Sequence, residues 1–325
     1  MTFWQDRRVF VTGASGLLGA QLVPDLTERG AKVICLIRDD LEYTRLQQVP
    51  RRFTSVHGDV RDNYLLQRVL AEYEIDTVFH LAAQPIVRVA HRNPAEAFDV
   101  NLMGTVSVLE ACRHVPVERI VVASTDKVYG VNPKPCDEDA PLVGRSPYEA
   151  SKVCADVAAQ SYARQYDMPI GIARCGNLYG PGDLNWNRII PGTIWSIANG
   201  KPVIVRSDGT PVHDYFYVAD AADAYMVLAE KLLDQPGVRI FNFGGGVTHT
   251  VREVVDAIRV LMNDGASPAV YLNEAKKEIP HQELILDKAK RELGWKSEYA
   301  FERGIGETVE WYQKYFKREG LGCQR

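Results

Sequence analysis

The sequence predicts an α/β fold, a doubly wound parallel sheet carrying a smaller α/β lobe. Two observations predict it: β-branched runs alternate with helical stretches over the first half of the chain, and short Gly- and Pro-punctuated elements take over after Cys175. The first run, Arg8 to Thr12, is followed by helical sequence over Leu17 to Arg29 and a second run over Lys32 to Ile37. A strand at Thr54 to His57 and a helix at Arg61 to Glu72 repeat the unit. Strands at Thr77 to Leu81, Arg119 to Ala123 and Ile170 to Arg174 then alternate with helices at Pro94 to Arg113 and Pro147 to Gln165. Parallel neighbours need helical crossovers, which cover both faces of the sheet, so these strands are read as buried. Further on, Asp220 to Lys231 reads as a helix and Ile240 to Phe243 as a strand returning to the main sheet. A helix at Val251 to Leu261, a strand at Val270 to Leu272 and an amphipathic helix at Phe301 to Phe316 complete the chain. The expected division is interleaved, with residues 1–175 and about 214–243 in the larger domain, and about 176–213 and 244–325 in the smaller lobe.

With 325 residues and 46% hydrophobic content the chain can bury a sizeable core. Its net charge of -4 gives no bulk attraction to nucleic acid or to an anionic membrane surface. Any phosphate-bearing partner must be held by local charges, which points to small anionic molecules. No apolar run approaches the roughly 18 residues of a membrane span, and Met1 to Arg8 lacks a signal-peptide core. A cytoplasmic location is expected. The six cysteines, Cys35, Cys112, Cys136, Cys154, Cys175 and Cys323, form no C-x-x-C pair and read as reduced thiols. The histidines are equally dispersed, so no metal site is expected.

The turn Thr12-Gly13-Ala14-Ser15-Gly16-Leu17-Leu18-Gly19 leaves the first strand and opens the first helix. A Gly pattern alone marks only a turn. In this position Gly13 permits the turn, Gly16 lets backbone approach a pyrophosphate at the helix N-terminus, and Gly19 lets the helix pack on the sheet, the logic of a Rossmann-like dinucleotide site. The second strand ends in Arg38-Asp39. Asp39 suits the ribose hydroxyls of NAD, whereas Arg38 suits the 2′-phosphate of NADP, so NAD is expected and NADP is not excluded. Asp59, followed by Val60, is a candidate adenine contact, and Leu81-Ala82-Ala83-Gln84 would run beside the cofactor.

Ser124-Thr125-Asp126-Lys127 ends a β-branched run at the carboxyl edge of the sheet, where open α/β sheets bind ligands. Tyr148 and Lys152 follow at i and i+4 on one face of the helix that opens with Ser146-Pro147. A Tyr phenolate can take the proton of a sugar hydroxyl while hydride leaves the same carbon, and a Lys nearby lowers the phenol's pKa. Asp126 and Lys127 are surplus to that reaction. Either they form a solvated turn, or they serve a second step, for which elimination of water is the obvious choice. Once C4 of a hexose is oxidised the C5 proton becomes acidic; one group removes it and another protonates the departing C6 hydroxyl. Lys127 is a base if neutral and an electrostatic stabiliser of the enolate if charged.

These residues resemble the extended short-chain dehydrogenase/reductase family, that of the NAD-dependent epimerases and dehydratases, over nearly the whole chain. Phe3-Trp4-Gln5, Ala82 to Arg88, Ser124 to Lys127, Gly182-Asp183 with Arg188 to Pro191, and Pro280-His281-Gln282-Glu283 are similar to stretches of the CDP-glucose 4,6-dehydratases within it. Most sugar-nucleotide relatives carry Asp-Glu or small residues in place of Asp126-Lys127. The resemblance implies an NAD-dependent internal redox cycle giving a 4-keto-6-deoxy sugar nucleotide, and a homodimer built from the helices starting near Pro94 and Pro147. By position it makes Thr125 the partner of the sugar 4-hydroxyl, Tyr148 the redox base, Lys152 the group that holds the ribose and tunes Tyr148, and Asp126 the elimination acid. Asn177 would contact the substrate diphosphate. Val60, Leu81, Asn101, Ser124 and Cys175 complete the expected cofactor contacts, and Gln84, Arg88, Arg188 and Arg206 the substrate contacts.

Two departures stand out. His213 occupies the place of a phosphate-binding Arg, with Arg206, Arg188 and Arg88 as candidates to compensate. The chain is also shorter than typical members of the CDP-glucose group. The segments expected near the base, around Leu184 to Asn187 and Asn273 to Glu278, hold no residue type unique to one nucleobase; Trp186 either stacks on the base or packs the lobe. A sugar-nucleotide 4-epimerase would need Thr125, Tyr148 and Lys152 but not Asp126-Lys127. A non-catalytic dinucleotide-sensing module would need no redox base at all.

Overall fold

Strand β1 (Arg8–Thr12) is buried from Val9 onward, the pattern of a strand covered by helices on both faces. The structure, a computed structural model, describes residues 2–39, 44–48, 52–132, 134–234, 237–263, 268–274 and 279–318. β1 lies inside a sheet with β2 (Lys32–Ile37), β3 (Phe53–His57), β4 (Thr77–His80), β5 (Arg119–Thr125) and β6 (Ile170–Cys175). Three short strands come next, β7 (Asn177–Tyr179), β8 (Val203–Val205) and β9 (Val212–Tyr217), followed by β10 (Arg239–Phe243), β11 (Thr248–Thr250) and β12 (Ala269–Tyr271). The main sheet has seven strands in the order β10-β6-β5-β4-β1-β2-β3, all neighbours parallel. The order reverses at β1 and β4, which opens a crevice above their carboxyl ends.

Two apolar layers sandwich the sheet. On one face Leu22 and Leu26 of the Gly19–Glu28 helix pack with Met226 and Leu228 of the Val218–Lys231 helix. On the other, Leu66 and Val69, Val108 and Leu109, and Ala159 and Ala163 come from the Asn63–Glu72, Gly104–His114 and Pro147–Gln165 helices. The stretch expected as one helix from Pro94 to Arg113 is helical but not uniform: Asp99–Met103 forms a wider π turn between α-helical segments. Asn101, in that turn, donates to Ser151 Oγ at 2.9 Å, tying it to the Pro147–Gln165 helix. That helix begins with Pro147 at its first turn and a reciprocal Ser146–Glu149 capping box, which fixes where Tyr148 stands.

The remaining elements form a three-stranded sheet, β11-β9-β7, and a parallel β12-β8 pair. Tyr215 and Tyr217 of β9 pack in a third apolar cluster with Ile258, Tyr312 and Phe316. The sequence expectation contains neither the three-residue β7, β8 and β11 nor the six-residue β9 and the Ile189–Ala198 helix.

Behind the carboxyl edge lies a buried polar network. Arg174 of β6 grips Asp156 of the Pro147–Gln165 helix in two parallel bonds, Nε to Oδ2 and Nη2 to Oδ1, both 2.9 Å. The two side chains are 2% and 0% exposed. Ser124 Oγ donates to the same carboxylate at 2.7 Å, and Arg174 Nη1 donates to the Tyr129 hydroxyl at 3.0 Å. Tyr129 in turn donates to Asn242 Oδ1 of β10 at 2.7 Å. Removing one partner strands a buried charge, so Arg174→Met is expected to cost ~3–5 kcal/mol in urea unfolding. A loss below ~1 kcal/mol would mean that the pair is dispensable.

Candidate active site

The turn after β1 is held against the exit of β4. Gly13 has φ of 70°, and a Cβ there would stand 2.7 Å from the backbone nitrogen of Ala82. A Cβ on Gly19 would strike the Gly13 carbonyl oxygen, so the helix can start this close to the strand only with glycine. Above the turn opens a cavity of roughly 1560 Å³ lined by Gly13, Ser15, Gly16, Leu17, Leu18 and Gly19, and by residues as distant in sequence as Arg206 and Tyr225. A single drug-sized ligand needs at most about 1000 Å³, so there is room for a dinucleotide and a second nucleotide-sized molecule.

Arg38, Asp39, Asp59, Val60, Leu81, Ala82 and Ala83 continue the cofactor side of this wall. Arg38 donates to Asp39 at 2.7 Å, so its charge is matched by its neighbour. Asp59 is held by the Arg61 guanidinium through two bonds of 2.8 Å, and that contact keeps its carboxyl below the usual range. The residues fit an NAD-type dinucleotide by their glycine cradle and by an acidic group at the end of β2. Two expected contacts lie outside the cavity wall. Gln84 accepts from Ile86 N, and Asn101 accepts from Gln84 N at 2.7 Å; both shape the loop after β4 from behind.

The redox candidates converge at the carboxyl edge. Ser124, Thr125, Tyr148, Lys152 and Cys175 all line the cavity. Lys152 Nζ donates to the Ala123 carbonyl at 2.6 Å, and burial brings its pKa down to about 8. Burial pushes the Tyr148 phenol up to about 12; the Arg188 guanidinium and a hydrogen bond with Thr125 work against that rise, and the Asp126 charge adds to it. The positive group that acts most on Tyr148 is therefore Arg188, at the start of the Ile189–Ala198 helix.

Asp126 and Lys127 are not equivalent. Lys127 lines the cavity, whereas Asp126 is fully buried behind it. The Asp126 carboxylate accepts from Thr125 Oγ1 and from Lys127 Nζ, each at 3.0 Å. Lys127 Nζ also donates to Gln282 Oε1, a residue the sequence reading quoted but gave no role.

Arg88, Asn177, Arg188, Arg206 and His213 also line the cavity. Arg188 is paired with Asp183 at 3.1 Å. His213 is 5% exposed and faces His249 across the β9–β11 pair. Trp186 lines the cavity and also packs against Tyr312 and Phe316, with ring centroids 5.8 and 6.0 Å apart. Of the segment expected near the base, residues 275–278 lie outside the described residues; Glu274 lines the cavity. Cys323 also lies outside them, while Cys35, Cys112, Cys136, Cys154 and Cys175 are free thiols. Among the described residues, no three His, Cys, Asp or Glu gather as a metal site, and no helix is long and apolar enough to cross a membrane.

Lys152 gives a pH signature. Its folded pKa lies below the ordinary 10.5, so the buried charge costs stability in full below about 8, and the cost fades as pH rises to 10.5. The shift corresponds to ~3 kcal/mol, more than the ~1 kcal/mol of its hydrogen bond to Ala123. Lys152→Met is therefore expected to melt higher than the parent at neutral pH, with a difference that shrinks through that window in thermal scans. An unchanged or lower melting temperature at neutral pH would contradict this.

The family described as "NAD dependent epimerase/dehydratase family" matches residues 9–244. The chain is 32% identical to the CDP-glucose 4,6-dehydratase of Salmonella typhimurium, over 98% of this chain and 94% of that protein. A dTDP-glucose 4,6-dehydratase from Streptomyces venezuelae, solved with NAD and TYD bound, superposes with a TM-score of 0.88 at 30% identity, covering 97% of this chain and 99% of that one. A UDP-glucose 4-epimerase from Thermotoga maritima, solved with UDP-glucose, superposes with a TM-score of 0.87 at 27% identity, covering 95% and 99%. The chain belongs to the NAD dependent epimerase/dehydratase family.

Proposed function

We propose that the protein is a sugar-nucleotide 4,6-dehydratase, a lyase converting an NDP-hexose to its 4-keto-6-deoxy form, with a CDP-glucose-like substrate favoured. The observation that carries this reading is Lys127, presented to the cavity beside Tyr148 and backed by a buried Asp126 that is bonded both to it and to Thr125. Alcohol oxidation and return alone would not use it. The 4,6-dehydratase relatives named above support the same reading.

NAD, when bound, supplies a reversible hydride acceptor. The residues that would hold it are the glycine turn, Asp39, Asp59 and Lys152; NAD is preferred over NADP because Asp39 balances the charge of Arg38. Tyr148 Oη takes the proton of the C4 hydroxyl, and Thr125 Oγ1 orients that hydroxyl. Arg188 favours the phenolate. With C4 a ketone and the Lys127 ammonium having first released a proton to solvent, the C5 proton passes to the neutral amine of Nζ, the C5–C6 double bond forms and the C6–O bond breaks. The proton on Nζ leaves with that oxygen as water. The hydride returns to C6, a solvent proton adds to C5, and Tyr148 gives up to solvent the proton it took. Asp126, which the resemblance makes the elimination acid, lies behind Lys127 and acts through it and through Thr125.

In this reading residues 1–175 with about 214–243 carry the cofactor, and about 176–213 with 244–325 carry the nucleotide sugar. The enzyme acts in the cytoplasm as a homodimer through the helices starting near Pro94 and Pro147, whose surface leaves Met103 and Val157 about half exposed, at 49% and 50%. A 4-epimerase is the second reading, supported by the Thr125, Tyr148 and Lys152 set and by the epimerase superposition.

The test is incubation of the purified protein with CDP-, dTDP-, UDP- and GDP-glucose, with NAD or NADP added separately. The mass of one water is expected to disappear from one of them, without net cofactor consumption. A stable epimer of unchanged mass would reject the dehydratase, and no turnover of any of them would favour a sensing module. Lys127→Met should lower water loss by about 10²–10⁴-fold, the scale of an acid–base group; an epimerase would barely notice it.

A further inference from the structure

Gln282 lies 155 residues from Lys127 in sequence, yet the two share a hydrogen bond. Its amide is 5% exposed and bridges the pair: Oε1 accepts from Lys127 Nζ, and Nε2 donates to the Asp126 backbone carbonyl at 2.8 Å. The orientation of the amide is dictated by its partners, because an ammonium only donates and a carbonyl only accepts. A second set of bonds fixes the backbone of this segment. Gln282 N donates to Val212 O and Val212 N to Pro280 O, both at 2.9 Å, which joins it to β9 beside His213. On its other side Cys136 N donates to Glu283 O and Ile285 N to Cys136 O, both at 2.9 Å. Gln282 is thus clamped between the strand that carries His213 and the loop that follows Lys127.

We propose that Gln282 is a positioning residue of the elimination step, holding Lys127 so that one valence of Nζ faces the cavity; this rests on the dehydratase reading above. An ammonium has three N–H groups. One points to Asp126 Oδ2 and one to Gln282 Oε1, which leaves the third for the substrate side. When Nζ is neutral the same two bonds can persist, and the third valence is then the lone pair. A single position thus receives the C5 proton and returns it to the departing C6 oxygen, with no rotation of the side chain between the two. Without the amide, Nζ swings about Asp126 and the elimination loses its alignment. Oxidation at C4 uses Thr125 and Tyr148, and neither has a hydrogen bond to Gln282 among the described contacts.

The experiment compares wild type, Gln282→Ala and Gln282→Met in the full chain with NAD. Met keeps the side-chain length without the amide, so it separates packing from hydrogen bonding. Each protein is checked for NAD binding and melting temperature, then mixed with the nucleotide sugar that wild type turns over. Reduced cofactor is followed by its near-ultraviolet absorbance, and water loss and solvent deuterium at C5 by mass. Both variants are expected to bind NAD and to oxidise C4 within about twofold of wild type, to accumulate reduced cofactor, and to lose water about a hundredfold more slowly. Water loss at the wild-type rate in Gln282→Met would overturn the assignment. So would equal slowing of both steps, or a Gln282→Met protein unable to bind NAD, since either makes the residue structural. If wild type itself yields only an epimer, the dehydratase reading falls first and this inference with it.

Discussion

The buried contact between Arg174 and Asp156 is the interaction on which the active-site geometry depends. Asp156 stands one helical turn beyond Lys152 and two beyond Tyr148, on the same stripe of the Pro147–Gln165 helix. Arg174 belongs to β6, beside β5, which delivers Ser124 and Thr125. A bidentate guanidinium–carboxylate contact has a defined plane, so it fixes the rotation of the helix about its axis as well as its distance from the sheet. Hydrophobic packing by Ala159 and Ala163 would hold the helix down without setting that rotation. The cost of desolvating the two charges is offset by the other bonds on them, from Ser124 and Gln160 to Asp156 and from Arg174 to Tyr129 and the Glu138 carbonyl.

Anchored this way, the carboxyl edge carries two chemical units that share Thr125. One is oriented by the helix: Tyr148 and Lys152, with Lys152 fixed on the Ala123 carbonyl. The other is oriented from across the molecule: Asp126 and Lys127, with Gln282 reaching in beside β9. Arg188, at the start of the Ile189–Ala198 helix, is the positive charge that most favours the Tyr148 phenolate.

What the sequence disclosed follows from the range of each interaction. The glycine turn, the Tyr148–Lys152 spacing and the capping box at Ser146 are local, and local patterns can be read directly; the main strands emerged within a residue or two of their bounds. The three-residue strands β7, β8 and β11 carry no period to detect and exist because β9 and β12 lie beside them. Asn101 and Gln84 were placed on the cofactor wall by position, whereas the π turn at Asp99–Met103 puts Asn101 behind the loop it supports. The difference between Asp126 and Lys127 could not be read at all: adjacent residues of a 3₁₀ turn point differently, and the turn itself is set by its surroundings. Gln282 was invisible for the same reason, since its partners lie more than 150 residues away.

In the proposed reaction one cavity oxidises C4, expels water across C5 and C6 and returns the same hydrogen to C6. The most direct measurement is the fate of deuterium placed at C4 of the accepted nucleotide sugar, read by nuclear magnetic resonance of the product. The label is expected on the C6 methyl group of a 4-keto product. Deuterium still on C4 of an inverted hexose would contradict it.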